Sequence, residues 1–189
     1  MNAKRVIAMT GALVVGSCLA GSIKTWNGGS GNWNTPSNWS GNAVPVSGDG
    51  VVLTSSAGAA EIVNDIPGLS LVLLKYMGDN PIRLSGQAVT LDGGANLQCN
   101  ASVAVTNAVE LVLASGAHDF SLGQNSEIVF AGAITGAGKV QCKRMDYAGT
   151  PKYRFCVTNT YAGGTYLAQR DGIDHQAVRQ SRLSFHVGR

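Results

Sequence analysis

Gly132-Ala-Ile-Thr-Gly136-Ala-Gly138-Lys139 is the stretch that comes closest to a nucleotide-binding loop. A phosphate cradle sets four residues between its first glycine and its Gly-Lys pair, then needs Ser or Thr to reach magnesium. Here five residues intervene and Val140 follows the lysine, so the stretch reads as a turn. The eleven acidic residues are spread singly, with Glu61 and Asp65 nearest to a cluster, and signal neither a paired-carboxylate glycosidase nor a calcium cage. His118, His175 and His186 stand far from any Cys-x-x-Cys pair, so zinc has no support, and no serine, metalloprotease or Cys/His nucleophile pattern is present. The expectation is a chain with no cofactor, no metal and no catalytic residue of its own.

The tryptophans are more informative. Trp26, Trp33 and Trp39 are the only three in the chain, set among Gly, Asn, Ser and Pro within fourteen residues and followed by Gly41-Asn-Ala-Val-Pro45 and Gly48-Asp49. Such spacing among turn formers excludes a helix and predicts short extended pieces folded over an exposed end. Two chemistries suit the rings: covering apolar edges as a cap, or stacking on the apolar faces of sugar rings. The cap is the preferred reading, because indoles in a terminal Gly/Asn segment more often plug an end than form a flat row.

The elements behind these residues are strands. Alternation recurs at Leu71–Leu73, Ile82–Leu84, Val89–Leu91, Leu97–Cys99, Val103–Val105, Val109–Leu113, Phe120–Leu122, Ile128–Phe130 and Val140–Cys142. Turn formers such as Asp92-Gly-Gly94, Ser115-Gly116 and Gly123-Gln-Asn125 lie between them, and 25 glycines with only 13% charged residues exclude a helical composition. Runs this short pack either as a β-sandwich or as a β-solenoid. Periodicity does not choose, but a solenoid needs a cap at its exposed end, which residues 26–39 would supply.

Two fragments carry a family resemblance. The Trp-rich opening ending in Pro45 and Gly48-Asp49 is one; the other is Gly132, Gly136 and Gly138 followed by Asn159-Thr160-Tyr161-Ala-Gly163-Gly164-Thr165. Together they resemble secreted bacterial proteins built on the autotransporter-associated β-strand repeat. The resemblance implies an all-β fold, a right-handed parallel β-solenoid with a Trp-rich N-terminal cap. It further implies a non-catalytic structural or adhesive role at a cell surface, with an extracellular glycan or a host or cell surface as partner. A carbohydrate-binding or polysaccharide-processing solenoid is the alternative, with Asp92, Glu110, Asp119 and Glu127 the acids in the strand stack. Between the fragments, residues 142–156 are more charged and aromatic than the family spacer, which puts the local strand register in question.

The N-terminus reads as an export signal. Lys4 and Arg5 precede the apolar run Val6–Ala20, too short to span a bilayer comfortably. Val15-Gly-Ser-Cys18 is a passable lipobox, but ordinary cleavage is preferred because apolar residues continue past the cysteine. The expected organisation is a signal peptide at 1–20, a cap at 21–50, coils at 51–168 and an atypical basic, disordered tail at 169–189. The tail lacks the Gly/Thr texture before it, so the chain is expected to be a truncated passenger piece without a membrane span. Net charge is +3 and, between residues 26 and 138, Lys75 and Arg83 are the only cations, which excludes a nucleic-acid surface. Of the cysteines beyond the leader, Cys142 and Cys156 flank the charged insert and are the candidate disulfide pair, with buried thiols on strands as the alternative.

Overall fold

The computed structural model describes residues 21–145, 150–169, 172–178 and 184–186. The expected signal peptide, its lipobox cysteine Cys18 and the side chains of the tail lie outside the described residues. Strand follows strand: β1 (Ile23–Thr25), β2 (Gly31–Asn32), β3 (Gly50–Ser55), β4 (Ala60–Asn64), β5 (Leu69–Gly78), β6 (Ile82–Gly86), β7 (Val89–Ala101) and β8 (Ala104–Asn107). Then come β9 (Leu111–Leu113), β10 (Ala117–Leu122), β11 (Glu127–Phe130), β12 (Ile134–Gly136), β13 (Lys139–Arg144), β14 (Lys152–Phe155), β15 (Thr165–Gln169), β16 (Gly172–Val178) and β17 (Ser184–His186). Two short 3-10 turns, Pro36–Asn38 and Ser40–Asn42, are the only helical pieces among the described residues.

Every ladder that joins two of the strands β1 to β15 is parallel, and each strand pairs with one a full turn away in sequence. This is a β-solenoid of about six turns. A sandwich would have joined sequence neighbours by antiparallel ladders. Among the described residues the coils build a ten-stranded sheet in the order β1-β3-β5-β7-β10-β13-β15-β16, joined by β9 and β12, and a seven-stranded sheet in the order β17-β14-β11-β8-β6-β4-β2. Through the middle coils, partners such as Val52↔Lys75, Lys75↔Gln98 and Ile62↔Leu84 lie 22 or 23 residues apart.

The long strands β5 and β7 turn a corner without leaving the ladder. Leu69–Leu71 pair with Val89–Leu91, the register then shifts, and Leu73–Gly78 pair with Asn96–Ala101. The extra residues of β7 include Gly93 and Gly94, which bend the strand where the partner has no counterpart; Gly94 sits at φ +81°, open to a residue without Cβ at little cost. Each coil thereby presents three stretches of extended chain around one interior.

That interior is continuous because register repeats side-chain position from coil to coil. Val51, Leu74, Leu97, Phe120 and Cys142 form one inward column, and Ala60, Ile82, Val105, Ile128 and Tyr153 another, all buried. Phe120, Phe130 and Phe155 stack across the interior at centroid separations of 5.5 and 5.0 Å. The insert between β13 and β14 lengthens that coil but does not disturb register: Glu127–Phe130 pair residue for residue with Lys152–Phe155.

Beyond β15 the described strands pair differently: β16 pairs antiparallel with β15, and β17 pairs antiparallel with β14.

Candidate functional site

The expected cap segment contributes a coil of its own. Ile23–Thr25 pair with Gly50–Val52 and Gly31–Asn32 with Ile62–Val63, so Trp26 and Trp33 continue strands that lie on the first ladders. Their backbone amides donate to Val52 O and Val63 O, each at 2.9 Å. Trp39 closes the segment through an antiparallel bridge to Trp26. All three rings are buried, at 1%, 0% and 0% exposure. They meet edge to face, Trp26 against Trp39 at 5.0 Å and 86°, Trp33 against Trp39 at 5.7 Å and 77°. The sugar-stacking reading of these residues is thereby corrected, since a pyranose needs an open ring face and none of the three offers one. Trp26 Nε1 donates to Gly29 O and Trp39 Nε1 to Trp33 O, whereas Trp33 Nε1 is buried without a partner among the described residues.

Asp49 ties this end to the second coil. Its Oδ1 accepts from Ser22 N at 2.7 Å and from the Ser22 hydroxyl at 3.0 Å, while Oδ2 accepts from Val46 N at 3.0 Å and faces Lys24 Nζ at 3.9 Å. Burial pushes the carboxyl up. The hydrogen bonds from Val46 and Ser22, with Lys24, outweigh it and hold Asp49 below its ordinary value. Gly48-Asp49 fastens one coil to another, because Gly48 at φ +93° makes the turn that aims Asp49 at the first strand.

The two later motif fragments come together. Gly132 to Lys139 and Asn159 to Thr165 run side by side in successive coils, joined by Thr160 N to Ile134 O, Ala162 N to Gly136 O and Gly163 N to Gly138 O. Asn159 is buried and its Oδ1 accepts from Ile134 N at 2.8 Å. Tyr161 is buried, its hydroxyl bonded to Thr165 Oγ1, and burial pushes it up to about 12. A Cβ on Gly132 would sit 2.1 Å from Val109 O, and one on Gly163 would sit 2.5 Å from Lys139 Cβ, so these glycines mark coil-to-coil approach. Gly164 is at φ +73°, where Gly alone is unstrained.

The disulfide expectation is corrected as well. Cys99, Cys142 and Cys156 are free thiols, the first two buried and the third exposed. Cys142 points inward from β13 in one sheet, while Cys156 follows β14 in the other, so flanking the insert in sequence does not place them together. Burial raises Cys99 to about 11 and Cys142 further.

The four acids noted in the stack each hold a neighbour. Ser70 donates to Asp92, the Thr135 hydroxyl donates to Glu110 at 2.8 Å, Lys143 pairs with Asp119 at 2.6 Å and Arg154 with Glu127 at 3.2 Å. Each of these contacts joins one coil to the next. Sequence reasoning misses His118, which it weighs only as a metal ligand. The residue is fully buried, Nδ1 lies 3.1 Å from Ala95 O and Nε2 2.9 Å from Ala114 O, so a ring N–H donates to a carbonyl of a corner it bridges. It also misses Tyr76, whose hydroxyl donates to Asn107 Oδ1 at 2.7 Å while Asn107 Nδ2 donates to Val109 O. A lone His or Tyr in an alternating run carries no mark that says which coil it will meet.

Among the described residues no group of His, Cys, Asp and Glu is placed to hold a metal ion, and no helix is long and apolar enough to cross a membrane. A shallow cavity of about 370 Å³ lies at the corner made by Thr54–Ser56 and Met77–Asn80, where Asn80 Nδ2 donates to Ser55 O. Comparison with models of known protein families, with curated proteins and with solved structures finds no match to this chain.

Proposed function

We propose that this chain is a non-catalytic, exported structural and adhesive β-solenoid segment of the kind that autotransporter passengers are built from. What supports the reading is continuity. The inward columns are filled coil after coil, which leaves the outward ladders as the surface offered to a partner. One such ladder runs Lys75, Gln98, Ser121 and Lys143, each half-buried on the same face. A rigid face that repeats hydrogen-bonding side chains at the ~4.8 Å spacing of strands suits many weak contacts along an extracellular glycan or a cell surface. Its role is that of a spacer and contact surface, and its chemistry is that of binding.

The test uses the purified chain in two arms. Fluorescently labelled protein is expected to bind polysaccharide-coated surfaces or whole cells, and to release no reducing ends or unsaturated sugars on long incubation. Turnover of a polysaccharide would replace the reading with that of a glycan-processing enzyme. Failure to bind any of a broad glycan and cell panel would remove the adhesive role. Export is read separately by fusing residues 1–20 to a leaderless alkaline phosphatase, with periplasmic activity expected; an inactive fusion would overturn the exported location.

A further inference from the structure

Charge is divided along the chain. Residues 21–138 hold eight acids and three cations, whereas residues 139–189 hold nine cations and three acids. Strand order in both sheets follows chain order, so a division in sequence is also a division along the solenoid axis. The early coils are acidic, with Glu61, Asp65, Asp79 and Glu110 exposed on them. The last coils are basic. Among the described residues their cations are Lys139, Lys143 and Arg144 on β13 and Lys152 and Arg154 on β14. Lys152 and Arg154 are exposed on either side of the buried Tyr153, about 7 Å apart at the ~3.3 Å rise of a strand. Two acids of the preceding coil reach this group: Asp119 lies 2.6 Å from Lys143 and Glu127 lies 3.2 Å from Arg154. Five cations therefore face two carboxylates.

Within the adhesive reading, on which this rests, we propose that the last coils are a binding site for an acidic polysaccharide, one that carries carboxylates along its length. The acidic early coils repel the same polymer, so it attaches at one end of the solenoid and does not run along its shaft. Geometry separates this partner from two other polyanions. β13 lies in the ten-stranded sheet and β14 in the seven-stranded one, so the cations are spread over two walls. A flat anionic membrane meets one wall at a time, whereas a flexible chain can follow both. The exposed large apolar residues that would help hold a membrane, Ile23, Val46 and Val72, belong to the early acidic coils, and Met145 alone accompanies the cations. A single-stranded nucleic acid takes aromatic faces to stack on, and Tyr153, Phe155 and Tyr161 beside these cations are buried.

The experiment measures binding of the full chain to immobilised polygalacturonate at rising salt, beside uncharged dextran, single-stranded DNA and vesicles of an anionic phospholipid. Far-ultraviolet circular dichroism establishes retained β-structure. Wild type is expected to prefer polygalacturonate and to release it as salt is raised past about 0.15 M, where the screening length is ~8 Å. K152Q/R154Q is expected to weaken that binding on the order of tenfold at low salt. K152R/R154K, which keeps both charges, and K75Q/R83Q, which removes two cations from the early coils, are expected to bind as wild type. Equal binding to dextran and polygalacturonate leaves the adhesive reading standing and overturns the acidic-glycan site. So does a loss in K75Q/R83Q as large as that in K152Q/R154Q, or tighter binding to the DNA or the vesicles than to polygalacturonate. Failure to bind polygalacturonate while another glycan is bound also overturns the site alone; binding to no glycan or cell surface removes the adhesive reading with it. Should K152Q/R154Q lose its β-signature, K152Q, at an exposed position, decides by the same comparison with R83Q.

Discussion

In the Trp26–Trp39 segment the first coil is packed by side-chain volume, whereas from β12 to β15 the coils are fitted to one another by backbone approach. The first uses three buried indoles packed edge to face. The second uses glycines where a Cβ would strike a carbonyl and an asparagine that takes the place of a missing backbone acceptor for Ile134 N. The difference teaches that one solenoid can solve two problems with separate residue types. An open end needs area and tolerates loose geometry; a coil-to-coil corner needs space and tolerates no added atom.

Deleting volume from the tryptophan segment is the harshest way to break the comparison. Trp39 touches both other indoles and donates to Trp33 O at 2.7 Å. Trp39→Ala is expected to lower stability by about 3–5 kcal/mol, read as a fall in the urea midpoint. A finer contrast separates ring from N–H. Trp39→Phe orphans the Trp33 carbonyl, whereas Trp33→Phe removes a donor that has no partner among the described residues. Trp39→Phe should therefore cost more than Trp33→Phe; equal midpoints would mean that only ring volume matters there.

Adding volume at the corner is the complementary change. Gly132→Ala places a Cβ 2.1 Å from Val109 O, a backbone atom of the preceding coil. Overpacking of this kind is expected to cost about 1–3 kcal/mol, and an unchanged urea midpoint would show that the corner gives way. Gly41, in the tryptophan-rich segment, would have nothing within 4 Å of an added Cβ and so isolates strain from clash. Its φ of +75° leaves only the conformational penalty for Gly41→Ala, roughly 1 kcal/mol.

Much of this contrast is legible in the sequence. Every alternating run from Leu71 to Cys142 lies wholly or mainly in strand, because a residue facing a filled interior must be apolar at every second position. What alternation does not encode is the partner. Parallel stacking follows from register at 22 or 23 residues, and coil repeats with unrelated side chains leave no self-similarity to read. Val89–Ala101 is one strand, but Asp92-Gly-Gly94 reads as a turn, since the same residues that end a hairpin also bend a strand around a solenoid corner. Gly50–Ser55 and Ala60–Asn64 escape notice beside the more prominent tryptophans. Cys142 and Cys156 read as a pair on sequence proximity alone, although Cys142 lies in β13 of one sheet and Cys156 follows β14 of the other.

Acid sharpens the comparison at the first coil. Asp49 is held below its ordinary value near 3.9 by hydrogen bonds from Val46 and Ser22 and by Lys24. With the folded chain holding its proton less tightly than the unfolded chain, the stability Asp49 contributes is complete above the ordinary value and is lost as pH falls through the folded one. Stability should therefore be flat above about pH 5 and decline below about pH 4. Asp49→Asn should be weaker at neutral pH, because an amide cannot accept from Val46 and Ser22 together, and its decline in acid should be shallower. Identical acid profiles for the two proteins would show that other carboxylates govern the transition.

The smallest effect belongs to the thiols and tests which side of the wall each occupies. Burial holds Cys99 up at about 11 and Cys142 higher, so neither offers thiolate near neutrality, while Cys156 is exposed. Of these three, Cys156 alone should react with a thiol reagent in the folded protein, the other two following only on unfolding. Cys156→Ser should leave the urea midpoint within about 0.5 kcal/mol of wild type, as for a surface substitution that breaks no buried contact. A midpoint that falls by several times that amount under oxidising conditions would instead restore a bridge to Cys142. Such a bridge would require β13 and β14 to give up the inward placement that Cys142 has between Phe120 and Leu167.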